Sequence, residues 1–141
     1  MFYEGKMFYE GKIRTVQMDD SGKPHRVSLS YVIDGCNDCG EAFSKLKDAV
    51  SVFGEDVSCI KCCPISEVIN GRDAGDSLYV STFEFTHLNE KTGKEQKNRS
   101  RYACWASTVD DATKKFNKFA ESCLADICVV SVKRSKYTDI I

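Results

Sequence analysis

No apolar run in the sequence approaches the ~20 residues that a membrane-spanning helix needs. The first residues are neither basic nor followed by an apolar stretch. No secretory signal is read there, and a reducing cytoplasmic compartment is expected. Charge of one sign is also missing. The formal net charge is −1, too small to predict a strong overall field. Histidine occurs at His25 and His87, both beside expected turns. Neither has a nucleophile or an orienting acid at a recognisable spacing. No phosphate-binding loop, dinucleotide-binding glycine pattern or metalloprotease helix is present. The chain is therefore read as not an enzyme.

What is present fits a soluble α+β domain. The chain has 141 residues, 42% hydrophobic and 29% charged, enough for a real core. Residues 8–18 read as a strand, "DDSGKPH" as a turn broken by Gly22 and Pro24, and 26–34 as a second strand. A helix follows over roughly 38–53. Ala42, Phe43, Leu46, Ala49, Val50 and Phe53 fall at helical spacing, Asp38 and Glu41 can form a capping box, and Gly54 ends it. "VSCIKCC" (57–63) is a third strand, stopped by Pro64.

The same order begins again at Leu78: a strand, a turn around Gly93, the strand "NRSRYACWA", and a helix over about 109–124 started by Thr108 and Asp111. Its apolar face is Ala112, Phe116, Phe119, Ala120, Cys123 and Leu124, and "ICVVSVK" (127–133) closes the unit. The expected architecture is an internally duplicated ββαβ unit. One unit of about 65 residues buries a marginal core, so a single pseudo-two-fold body is expected, with antiparallel sheets covered by two amphipathic helices. Tyr9 matches Tyr79, Tyr31 matches Tyr102, Ala42 matches Ala112 and Ile60 matches Val130, an offset of 70 or 71. The units are 7–69 and 77–141, joined by the linker 70–76. The hexapeptide "MFYEGK" occurs twice at the start; its first copy, 1–6, is read as a duplicated extension ahead of Met7.

The opening "FYEGKIR", the hairpins "DSGK" and "EKTGKEQK", and the ending "VSVKRSKYTDII" resemble a family of short uncharacterised two-repeat proteins from gut bacteria and their phages. In that family a strand like Val132-Lys133-Arg134 is followed by a tyrosine and an acidic-apolar tail, here Tyr137-Thr138-Asp139-Ile140. The resemblance carries no assigned activity. It implies an accessory protein of a phage or mobile element. A cysteine cluster is not its hallmark.

Two constellations could carry chemistry. The eight cysteines in a reducing compartment are thiols or metal ligands rather than disulfides. Cys36-x2-Cys39-x19-Cys59-x2-Cys62 is near a four-cysteine zinc spacing. A 15-residue helix and a 7-residue strand are each about 22–23 Å long, so Cys62 and Cys63 return level with Cys36 and Cys39, whereas Cys59 does not. The candidate zinc set is therefore Cys36, Cys39, Cys62 and Cys63. No other cofactor is expected. Cys36 and Cys39, before a helix start, also suit a dithiol, although Asp38 opposes thiolate formation and no parallel redox scaffold is evident.

The second constellation is basic. Residues 1–70 carry 8 basic and 11 acidic side chains; residues 71–141 carry 12 and 10. Lys91, Lys94, Lys97, Arg99 and Arg101, with Lys133, Arg134 and Lys136, could hold a nucleic acid or a smaller anion. The same lysines also suit a solvated edge hairpin that resists aggregation. Trp105 is expected as a core or interface anchor, and Tyr137 as a tail residue able to touch a partner. The leading expectation is a non-enzymatic binding protein with a protein partner, such as a host or defence component. Nucleic acid, a small anionic ligand such as a nucleotide, and a structural zinc module are the alternatives. No membrane is involved, and the state is monomer or homodimer.

Overall fold

The computed structural model describes residues 8–51, 56–123 and 126–141. The first hexapeptide copy, the helix end expected at Phe53 and Gly54, and Leu124 lie outside the described residues. Among the described residues, the fold is mixed α/β, with two helices and two four-stranded sheets. The strands are β1 Tyr9–Met18, β2 Pro24–Ile33, β3 Asp56–Cys62, β4 Ile65–Val68, β5 Ser77–Leu88, β6 Glu95–Ala106, β7 Asp126–Arg134 and β8 Tyr137–Ile140. The helices are α1 Cys39–Val50 and α2 Val109–Ser122. One sheet has the order β3-β1-β2-β8 and the other β4-β6-β5-β7. None of these helices is long and apolar enough to cross a membrane.

The chain divides into two compact units. One runs to Cys63 and resumes over Lys136–Ile141; the other is Pro64–Ser135. The sequence pattern places the junction at 70–76, but residues 64–69 join the second unit. The reason is a pairing that no alternation announces: β4 lies parallel to β6, with Ile65 opposite Arg101 and Val68 opposite Ala103. Asn70 continues it, accepting from the Trp105 amide at 2.7 Å and donating to the Trp105 carbonyl at 2.8 Å. In return β8 lies parallel to β2 in the first unit, from Ser30 opposite Tyr137 to Val32 opposite Ile140.

In the first unit β1 and β2 form a continuous antiparallel hairpin, from Tyr9 opposite Ile33 to Met18 opposite Pro24. Its turn needs Gly22, whose φ of +80° is the left-handed region that side chains disfavour. Asp19 organises that turn by accepting from the Ser21 hydroxyl and amide and the Lys23 amide, and by pairing with His25 at 2.6 Å. The Ser21 hydroxyl and His25 bonds lead in holding its carboxyl down at about 2. Helix α1 starts as its sequence predicts. Asp38 accepts from the Glu41 amide at 2.8 Å, and Glu41 reaches back to the Asn37 amide at 2.9 Å. Ala42, Leu46 and Val50 pack with Tyr9, Ile13 and Ile33. Phe43, expected on that face, is 42% exposed. Gly11 sits under the helix because nothing larger fits. A Cβ there would fall on Leu46 Cδ2 and within 2.9 Å of Ile60 Cδ1.

A buried carboxylate ties β8 to β1. Glu10 is 5% exposed. It accepts from the Tyr137 hydroxyl at 2.6 Å, with Lys61 at 3.3 Å and Lys136 at 3.4 Å. The Cys63 thiol donates to the same hydroxyl at 3.4 Å. Burial alone would raise the Glu10 pKa; the Tyr137 bond and the two ammonium groups outweigh it and lower it. Tyr137, read from sequence as a tail residue open to a partner, is instead 8% exposed, because its hydroxyl satisfies that carboxylate.

In the second unit β5 pairs with β6 along its whole length and with β7 on its other side. Helix α2 repeats the capping logic: Thr108 accepts from the Asp111 amide at 3.1 Å, and Asp111 accepts from the Ser107 amide at 3.1 Å. Phe83, Tyr102, Phe116 and Phe119 stack as one aromatic cluster beneath it, with ring centroids 4.8–6.1 Å apart. Trp105 is buried in its own unit, with the Arg72 guanidinium 4.7 Å from its ring centroid.

Replacing Gly11 with valine forces side chains onto Leu46 and Ile60, which are closely packed, and should cost about 1–3 kcal/mol, read by urea denaturation. Tyr137→Phe should cost about 1–3 kcal/mol at neutral pH, because it leaves a buried carboxylate one donor short. The Glu10 pKa is depressed, so its stabilisation is present above its ordinary 4.5 and fades as pH falls through the lower folded value. The cost of Tyr137→Phe should therefore shrink between about pH 6 and about pH 3. An equal cost at both would remove Glu10 as the partner that matters.

Candidate functional site

A strand turns alternate side chains to opposite faces, and β5–β6 sorts its residues cleanly. Tyr79, Phe83, Phe85 and Tyr102 pack on the α2 side. Lys97, Arg99 and Arg101 alternate along the other face of β6, opposite Thr86, Glu84 and Thr82 of β5. All three cations are exposed. Glu84 draws in two of them, with Arg99 Nε at 3.1 Å and Lys97 Nζ at 3.6 Å. Arg101 stands opposite Thr82, and among the described residues it forms no ion pair with that carboxylate. It lines a shallow groove of about 330 Å³ together with Pro64, Ser66, Thr82, Arg99 and Ser100. Ser66 falls where the β4–β6 register shifts, between Ile65 opposite Arg101 and Glu67 opposite Tyr102. Such a bulge re-aims side chains at a sheet edge.

The remaining cations of the basic set are dispersed. Lys91 and Lys94 sit in the β5–β6 turn, where their amides bond Asn89 Oδ1 and Thr92 Oγ1. Lys133 stands opposite Val80 on the face of Arg101, while Arg134 stands opposite Tyr79 on the face of α2. Lys136 belongs to the first unit and is held by Glu10.

The basic row of the first unit was not singled out from sequence. Lys12, Arg14 and Val16 alternate on β1, and Arg26 stands opposite Val16 on β2. Val16 and Met18 on the same row are 60% and 70% exposed. The alternation in "KIRTVQM" carried that signal; the concentration of lysines in the second half drew the reading away from it.

The cysteines divide. Cys36 is buried beside Tyr9, Cys62 lies directly opposite Tyr9 across β1–β3, and Cys39 is the first residue of α1. The Tyr9 hydroxyl donates to the Asn37 carbonyl at 3.1 Å, and its pKa is raised first by burial, then by Cys62, Cys39, Asp38 and Cys36. Cys63 turns instead to Tyr137. Among the described residues, no three His, Cys, Asp or Glu side chains stand close enough to hold a metal ion. Cys104, buried in the second unit, has its thiol pushed up to about 11 by burial. The histidines pair locally at exposed hairpin positions, His25 with Asp19 and His87 with Gln96 at 3.1 Å.

No curated protein and no solved structure matches this chain. One family model does: a domain of unknown function (DUF4494), over residues 7–141. That match covers all but the first hexapeptide, and the chain belongs to this family.

Proposed function

We propose that this protein is a non-enzymatic binding protein whose ligand is a polyanion, nucleic acid first, held on the helix-free face of the second sheet. The observation that carries it is the row Lys97, Arg99 and Arg101 at alternate positions of one strand, beside a groove edged with Ser66 and Thr82. Repeated cations at strand spacing match the repeated charges of a phosphate chain. The face also holds Glu84, Glu95 and Asp126, so binding is of modest strength and falls with salt.

A protein partner, first choice from sequence, keeps one specific support. Val16, Met18 and Leu88 are exposed large side chains at the far ends of the two long hairpins. Methionine and arginine are enriched in protein interfaces, and Arg14 and Arg26 adjoin the first pair. A small anionic ligand would use the Arg101 groove alone. A zinc module is the weaker reading, since Cys62 and Cys63 turn to different neighbours.

The body that presents these faces is, in this reading, an internal duplication. Its support is the register. Ser30 pairs with Tyr137 as Arg101 pairs with Ile65, and Val32 with Ile140 as Ala103 with Val68. Gly11 opposite Ile60 corresponds to Ser81 opposite Val132, which shifts the last-strand match from Val130 to Val132. The phage or mobile-element origin and the cytoplasmic setting are part of the same proposal and rest on the resemblance.

Fluorescence anisotropy with a labelled 20-nucleotide single strand and a 20-base-pair duplex checks the reading. Binding at low salt that weakens with a negative log–log salt slope is expected. Affinity that ignores salt would refute it.

A further inference from the structure

The geometry points to Arg101 as the seat of one phosphate group, in a recognition that reads the phosphate chain and not the bases. This rests on the polyanion reading above and adds the residue and the chemistry of contact.

Three features of the second unit converge on it. First, Arg99 and Lys97 share Glu84, and Arg101 stands opposite Thr82 with no ion pair among the described residues, so an incoming anion displaces none of their acids there. A guanidinium offers two parallel donors that fit two phosphate oxygens. Second, the groove around Arg101 supplies hydroxyl-bearing neighbours, Ser66, Thr82 and Ser100. Hydroxyls donate to phosphate oxygens as readily as guanidinium completes the charge. Ser66 is delivered there by the register shift of β4, an edge strand.

Third, among the described residues the face offers no exposed ring as a stacking platform: Trp105, four residues beyond Arg101 on the same face, is only 5% exposed. Single-strand readers use exposed aromatic rings on which bases lie. Here Phe83, Phe85 and Tyr102 belong to the cluster under α2, on the opposite face. Along β6 this face carries Glu95, Lys97, Arg99 and Arg101 before the buried Ala103 and Trp105, and along β5 Leu88, Thr86, Glu84 and Thr82 before the buried Val80 and Leu78. With no exposed ring on this face for a base to stack on, the contacts available there are to phosphate oxygens. The ligand chemistry is thus a phosphodiester or phosphoanhydride chain, from nucleic acid or from inorganic polyphosphate.

The test measures binding of labelled dA20, dT20 and inorganic polyphosphate, at several salt concentrations, to the full chain and two variants. Arg101→Gln removes the seat; Lys114→Gln, on α2, removes equal charge elsewhere. The expected result is roughly tenfold weaker binding and a salt slope reduced by about one for Arg101→Gln. Lys114→Gln should stay within about twofold, and dA20 and dT20 within about threefold of each other. Circular dichroism of each variant checks that it is folded. Strand binding that Arg101→Gln and Lys114→Gln weaken equally would overturn the seat and leave the polyanion reading standing. A large preference for dA20 or dT20 would overturn phosphate-only recognition. No binding of any of the three probes would overturn the polyanion reading itself. Polyphosphate binding with weak DNA binding assigns the source as phosphoanhydride; the reverse assigns nucleic acid.

Discussion

Parallel pairing between strands far apart in the chain is the constraint on which this structure depends. β2 is completed by β8, and β6 by β4. Each completing strand has only four residues, and each directly follows a long strand of the other sheet. Parallel neighbours cannot be joined by a tight turn; β2 meets β8 only after the chain has passed through the second unit, whereas β4 reaches β6 through β5 within that unit. A ββαβ segment alone would leave β2 or β6 with a bare inner edge. The two short strands cover those edges, and their register shifts are the only irregularity they need.

The two units solve the same problem with different chemistry. Where β1 carries Glu10, β5 carries Val80; where β8 begins with Tyr137, β4 begins with Ile65. In the first unit a buried carboxylate, a phenol and two ammonium groups satisfy one another. Such a network is strong only when every member is present, and removing one donor strands the charge. Val80 and Ile65, each buried in the second unit, carry no such liability. That difference leaves Lys136 committed to structure, while Arg101, opposite Ile65, faces a groove.

Much of this was legible from residues. The helix starts at Asp38 and Thr108 and the turns at Gly22 and Gly93 followed from capping residues and chain-breaking glycines. The short strands were not legible. "ISEV" and "YTDI" are too brief for a period, and parallel pairing imposes no local turn to betray it. Phe43 was expected inward because it is apolar, but the helix buries only the narrower stripe of Ala42, Leu46 and Val50. Glu10 reads as an ordinary strand carboxylate; only the fold shows that its partners arrive from residues 61, 136 and 137. For the candidate site, the basic composition was visible but its sorting was not. Which lysine serves a carboxylate and which arginine lines a groove is decided by cross-strand register.

The interlacing of the two halves also limits how such a protein can change. A deletion that removes one half takes away the other half's closing strand as well, and leaves a sheet edge open to any extended chain. A surviving half could be whole again only by lending its own tail to a second copy and receiving that copy's tail in return. Gene shortening in this architecture would therefore convert one chain into a mutually tethered pair, and fusion of such a pair would restore the single chain.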